Sequence, residues 1–451
     1  MMLQKVFLLG LIQWAFIVSC ARTANGVPET CAGIVPMKRR QHTMSIRRFG
    51  AIGDGRTLNT QAFQAAISTI RKLDNIGGTL LYIPTGIWLT GSFNLTSHMT
   101  LYLAKNAVIK ASQDTGAWPV INPLPSYGRG RERPGGRYIS FIHGDGLEDV
   151  VITGENGTID GQGEVWWNMW RDGSLKYTRG NLVEIMNSRD VIISNVVLLN
   201  SPFWNIHPVY CSNVVIRRVT ILAPADSPNT DGIDPDSSSN VCIEDSYVNN
   251  GDDVVAIKSG WDEYGIAYGR PSSNIIVRRV TGITSGFSGI AIGSETSGGI
   301  RDILIQHVNI LNSGTGIRLK TNVGRGGIIT NITISDIYME NVGTAIKFTG
   351  NTGDHPDERY NHLAVPVVRN IAVNNVVGRG IGSVGSMEGI KGSPFQNICL
   401  SNIMLQGAGQ ELTWKCEEVV GSSFGTITPP PCPQLESQMS SFCHSSYLRY
   451  H

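Results

Sequence analysis

The chain has 451 residues, 41% of them hydrophobic and 16% charged, with 52 glycines and a formal net charge of +1. That much apolar material excludes a disordered chain, and the near-zero balance excludes a global drive toward nucleic acid or an anionic membrane, leaving room only for a local charged groove. The length exceeds an average domain, yet elongated β architectures run this long as one unit.

In chain order, Lys5 precedes an apolar run from Val6 to Val18, followed by the small residues Ser19, Cys20 and Ala21. The run is too short for a comfortable bilayer span and has the order of a secretory signal peptide, taken as residues 1–22. An N-terminal extension follows over 23–43. In "FGAIGDGRTLNTQAFQAAISTI" a glycine turn leads into helical periodicity from Thr60 to Ile70. "GGTLLYIPTGIWLTGSFNLTSHMTLYLAKNAVIKAS" then reads as a series of short strands.

From there a phrase recurs: "SRDVIISNVVLL", "CSNVVIRRVTIL", "SSNVCIEDSYVN", "SSNIIVRRVTGI", "IRDILIQHVNIL", "ITNITISDIYME", "VRNIAVNNVVGR" and "FQNICLSNIMLQ". Each has Asn or Asp, then an aliphatic, then alternation, which aligns Val191, Val214, Val241, Ile275, Ile303, Ile332, Ile371 and Ile398. The shortest interval, Val191 to Val214, is 23 residues, one compact coil. Short β-branched strands at a fixed period predict a β-solenoid whose coils bury their apolar faces only by stacking. A β-sandwich would not repeat the phrase. The Thr60 helix is then placed to cap the open edge of the solenoid. The catalytic solenoid is bounded at 44–412, and a cysteine-containing tail occupies 413–451. Cys399, Cys416, Cys432 and Cys443 crowd this end and predict disulfides of unassigned pairing. Cys242 lies in a strand and reads as a small buried hydrophobe. Sequons at Asn94, Asn156 and Asn331 are candidate glycosylation sites and agree with secretion.

Each coil has a second strand: "DGIDPD", "DVVAIKS", "SGIAIGSE", "TGIRLKTN" and "TAIKFTG". Aligned on Ile233, Val255, Ile290, Ile317 and Ile346, the residue two places earlier is Asp231, Asp253, Ser288, Thr315 and Thr344. Asp231 and Asp253 thus fall in one column on adjacent coils, about 4.8 Å apart, with Asp252 beside them. Alternation points Ile317 and Leu319 inward and Arg318 and Lys320 outward. Stacked like residues are common in solenoids and often idle. An acid column, an acid pair and two nearby cations are a different matter, because close like charges raise one pKa, as a general acid requires.

These phrases resemble the polygalacturonase family of glycoside hydrolases, the pectin-degrading family 28. "NTDGID", "GDDVVAIKSG" and "GIRLKT" match its Asn-Thr-Asp, Gly-Asp-Asp and Arg-Ile-Lys phrases in order, and the likeness covers about Phe49 to Gly350. The resemblance implies an all-β, right-handed parallel β-helix and a secreted enzyme that hydrolyses α-1,4-galacturonosyl linkages with inversion. It implies no metal or cofactor, a pectic polysaccharide as the partner, no nucleic acid or membrane, and a monomer. It further implies that Asp252 is the general acid, that Asp231 and Asp253 activate water, and that Asn229, Arg318 and Lys320 bind and orient an acidic sugar. Where the family has Gly-His-Gly, this chain has "SGFSGIAIGSE", so Ser288 occupies the histidine column and is expected to contact substrate; the tyrosine of a later coil is missing too. "SETSGG" and the insertion "WDEYGIAYGRPS" resemble branches with exo-acting members, the insertion being able to wall off one groove end. Trp204 and His207, one coil before Asp231, either line the groove, Trp204 stacking on a sugar, or are a packed aromatic and a satisfied histidine. Two other readings compete: a calcium-dependent pectic lyase and a non-catalytic pectic polysaccharide binder.

Overall fold

The computed structural model describes residues 31, 33–35, 38–73, 77–129, 131–407, 413–436 and 440–448. The expected signal peptide and part of the N-terminal extension lie outside them. The chain winds into a right-handed parallel β-helix whose strands stack in three columns. The first runs from His42–Ser45 and Thr79–Ile83 to Val419–Thr428. Within it, Val191, Val214, Val241, Ile275, Ile303, Ile332, Ile371 and Ile398 pair in the order read from the sequence. All eight are buried in a continuous core.

The polar residue ahead of each aliphatic forms a corner. Asp190, Asn213, Asn240, Asn274, Asp302, Asn331, Asn370 and Asn397 all have φ between +52° and +59°. Asn and Asp tolerate this left-handed conformation better than other non-glycine residues. Their side chains also bond along the stack: Asn213 Nδ2 donates to Asp190 at 2.9 Å, Asn331 Nδ2 to Asp302 at 3.1 Å and Asn397 Nδ2 to Asn370 at 2.9 Å. The recurrent Asn therefore serves twice, turning the chain and tying neighbouring coils.

The helix Thr60–Lys72 turns Phe63, Ala66, Ile67 and Ile70 inward at the first coil, where the Phe63 ring lies 4.6 Å from that of Phe93. It covers the open edge as the periodicity predicts. At the other end, Cys399–Cys443 and Cys416–Cys432 bind the tail. Parallel pairing continues into this tail, with Val419–Thr428 stacked on Phe395–Gly407.

Cys242 corrects the sequence reading. It is buried, but it faces away from the core and forms a disulfide with Cys31. Val151, Ile192, Val215 and Cys242 make an outward apolar column, and Cys31 and Val35 cover it. The bond joins residues 211 apart. Replacing both cysteines by serine is expected to lower stability by about 2–4 kcal/mol, read as a lower urea midpoint.

Candidate active site

The third column positions the site. It runs Phe93, Ile142, Val183, Ile206, Ile233, Val255, Ile290, Ile317 and Ile346, each paired to the next coil. The predicted alignment is the observed register, so Trp204, Asp231, Asp253 and Ser288 fall in one stacked row. Asp231, Asp252 and Asp253 each present an oxygen within 4.8 Å of the others. They line a groove of 490 Å³ with Asn229, Trp204, Arg318 and Lys320.

The three acids differ in surroundings. Lys320 Nζ donates to Asp253 Oδ2 at 2.6 Å, and the Ser288 backbone N–H donates to Oδ1 at 2.8 Å. Burial pushes the Asp253 pKa up, but Lys320 outweighs it and holds the carboxyl below its ordinary value. Asp252 has no such partner. It accepts from the Asp253 N–H at 2.8 Å and, weakly, from Asn229 Nδ2 at 3.5 Å. Burial, followed by the charges of Asp231 and Asp253, raises its pKa well above the carboxylate range. Asp231 is raised by burial despite Lys258, whose Nζ donates to it at 3.3 Å. Adjacent acids are therefore shifted in opposite directions, Asp252 toward holding its proton and Asp253 toward losing it.

Asn229 is held from behind by Arg179 Nη2 at 2.8 Å. Arg318 Nε is buried without a hydrogen-bond partner, a donor available to a ligand. Two expectations need correction. Ser288 is fully buried and so does not face a ligand in the groove. It serves Asp253 instead, its backbone N–H donating to that carboxylate, while the neighbouring Phe287 stands 40% exposed on the groove. His207 is fully buried and faces Glu184 at 3.0 Å and Asp236 at 3.4 Å. The reason lies in residues 122–129 and 131–137, which fold over the coils ahead of Asp231: Arg137 pairs with Glu184 at 2.6 Å, and Tyr127 donates to Asp236 at 2.6 Å. Trp204 lines the groove but is only 5% exposed; its ring stacks on Phe203 and lies 4.4 Å from Lys258 Nζ.

The sequence reading missed Lys258, Asp234, Glu295 and Arg131. Lys258 Nζ lies 3.5 Å from Asp234 and 3.4 Å from Glu295. Arg131 reaches Glu295 and Asp354, each at 2.8 Å, and packs over Trp261. The signal for Lys258 was present: it follows Val255 by three places, as Lys320 follows Ile317. Arg131 had none, because it comes from a segment outside the repeat. The insertion after Trp261 folds as the helix Asp262–Tyr268, and Asp262 bonds Arg325 and His355, which ties it to the 351–366 segment. The spacing of the three aspartates would admit a cation, but ammonium groups already stand on Asp231 and Asp253.

A parallel β-helix that sets carboxyls with oppositely shifted pKa values in one cation-lined groove is the arrangement of a glycoside hydrolase. The chain belongs to the glycosyl hydrolases family 28, whose model matches residues 130–426. It is 51% identical over 401 residues to a probable polygalacturonase of Vitis vinifera, covering 88% of this chain and 82% of that protein. It is 31% identical over 300 residues to an endo-polygalacturonase of Pectobacterium carotovorum, covering 62% of this chain and 71% of the other. Among solved structures it resembles the exopolygalacturonase of Thermotoga maritima, at 30% identity and a TM-score of 0.73, with 85% of this chain and 93% of the other covered.

Proposed function

We propose that this protein is a secreted hydrolase of α-1,4-galacturonosyl linkages in pectin, acting by general acid–base catalysis with inversion. One arrangement carries the reading: Asp252, whose pKa burial and the charges of Asp231 and Asp253 push well up, adjoins Asp253, whose carboxyl Lys320 holds below its ordinary pKa against burial. Asp252 gives its proton to the glycosidic oxygen as the bond to the anomeric carbon breaks. Asp253, with Asp231, takes a proton from the water that attacks that carbon. Arg318 and Lys320 face the galacturonate carboxylate, and Asn229 orients the acid and the sugar. The 44–412 segment is the catalytic unit. Three disulfides and the exposed Asn94, Asn156 and Asn331 support an oxidising, extracellular setting. The lyase reading is weaker, because two of the three carboxylates are already neutralised by ammonium groups.

Residues 122–129 and 131–137 cover His207, one coil ahead of Asp231, leaving a cavity of 30 Å³ beside it. That cover on one side of the acids supports attack at chain ends, as does the likeness to an exopolygalacturonase. The acids lie closer together than the roughly 6.5–9.5 Å usual for inversion. Both oxygens of Asp253 are nonetheless occupied by donors, which suits a base holding water better than a nucleophile. The test is to follow polygalacturonate cleavage by NMR with product sizing. The β-anomer and galacturonate monomer from the first minutes are expected. The α-anomer would overturn inversion, a ladder of oligomers would overturn chain-end attack, and binding without cleavage would leave only the binder.

A further inference from the structure

We propose that Lys258 is a positioning residue for this hydrolysis: its buried ammonium holds the Asp231 carboxylate in place and in charged form at the edge of the groove, in competition with Glu295. The inference rests on the hydrolytic reading above, with Asp231 as a water-activating base.

Lys258 is 3% exposed. Its Nζ stands among three carboxyls, two from the coil before and one from the coil after: Asp231 at 3.3 Å, Asp234 at 3.5 Å and Glu295 at 3.4 Å. The Trp204 ring closes its fourth side at 4.4 Å. One ammonium thus serves three acids, and the other charges nearby decide how it is shared. On the coil before, Asp236 pairs with Lys258 through the backbone, and its carboxylate is taken by Tyr127 and His207. On its own coil, Asp253 belongs to Lys320, while Asp252 has no cation bonded to it. From the overlying segment, Arg131 supports Glu295 at 2.8 Å. Burial, then Asp231, pushes the Asp234 pKa far up. The ammonium donates to the other two acids, Asp231 and Glu295. For Asp231, burial is the largest influence and raises the pKa; Lys258 opposes it most strongly, Asp253 adds to it, Lys320 opposes it, and Glu295 adds to it.

A merely structural ion cluster and a positioning lysine predict different kinetics. If Lys258 keeps Asp231 ionised, losing the ammonium raises the pH below which the base is protonated. Removing the charge of Glu295 does the reverse, because the ammonium then serves Asp231 alone. The experiment measures kcat and KM against pH on polygalacturonate for wild type, Lys258→Met and Glu295→Gln, with Tm recorded for each. Lys258→Met should lower kcat at least about tenfold with little change in KM, and its acidic limb should move to higher pH. The acidic limb of Glu295→Gln should move to lower pH. Lower Tm with unmoved limbs would overturn the proposal. If Lys258→Met does not fold, Glu295→Gln decides alone, and a limb that stays or moves upward overturns it. A wild-type protein that does not cleave the polymer defeats the hydrolytic reading instead, a separate result.

Discussion

Asp252→Asn is expected to lower turnover on polygalacturonate by about 10²–10³-fold while substrate binding and fold survive. The change keeps the side-chain size and removes the transferable proton. Asp252 is only 6% exposed, and its oxygens receive the Asp253 N–H and a weak contact from Asn229. A neutral amide meets the same demands as a protonated carboxyl, so packing has no reason to fail. Stability should respond in a specific direction. A carboxyl whose folded pKa is raised contributes fully below its unfolded pKa, near 3.9. That contribution is lost as pH rises through the higher folded value. The variant should therefore decline less than wild type in Tm toward alkaline pH, and its residual activity should lack the alkaline limb. Calorimetric binding, Tm against pH and kcat together test this. Wild-type turnover would remove Asp252 from the mechanism.

Lys320→Met should be the more damaging change, because it harms both the fold and the reaction. Asp253 is 1% exposed, and Lys320 is the cation bonded to it. Breaking a buried pair by removing one partner costs about 3 kcal/mol or more, since the other charge is left without compensation. Burial already pushes Asp253 upward, and without Lys320 nothing of equal strength opposes it. In wild type the depressed Asp253 pKa contributes stability above the unfolded value of roughly 4. That stability is lost as pH falls through the folded pKa. The variant should lack this acid-side loss, being already destabilised at neutral pH. Its base would hold a proton over more of the pH range, so kcat should fall and the acidic limb should rise. An unchanged Tm and pH profile would mean that the 2.6 Å contact does not control Asp253.

Much of this was legible in the sequence because a solenoid turns distance along the chain into distance in space. Once Val191 and its successors were aligned, the observed pairing followed, and so did the meeting of Asp231, Asp253 and Lys320. The same column rule would have found Lys258, three places after Val255. What the rule could not reveal is whatever leaves the coil. His207 stands one coil ahead of the acids, yet residues 122–129 and 131–137 bury it against Glu184 and Asp236. Ser288 stands in the right row, but its side chain is enclosed and its backbone makes the contact.

The sequence by itself determined the fold, the stacking register and the identity of the three clustered acids. Each depends on a short-range period and on a side chain's facing inward or outward, which local patterning specifies. Only the tertiary structure decided in which direction each acid's pKa is pushed, which cation serves which carboxylate, and which side chains of the row are covered. Those depend on burial and on charges a few ångströms away that come from distant segments. Arg131 meets Glu295 across 164 positions, and Cys31 meets Cys242 across 211. No periodicity links such pairs, and the electrostatic energies that set a pKa fall off too steeply with distance to be read before the segments have packed.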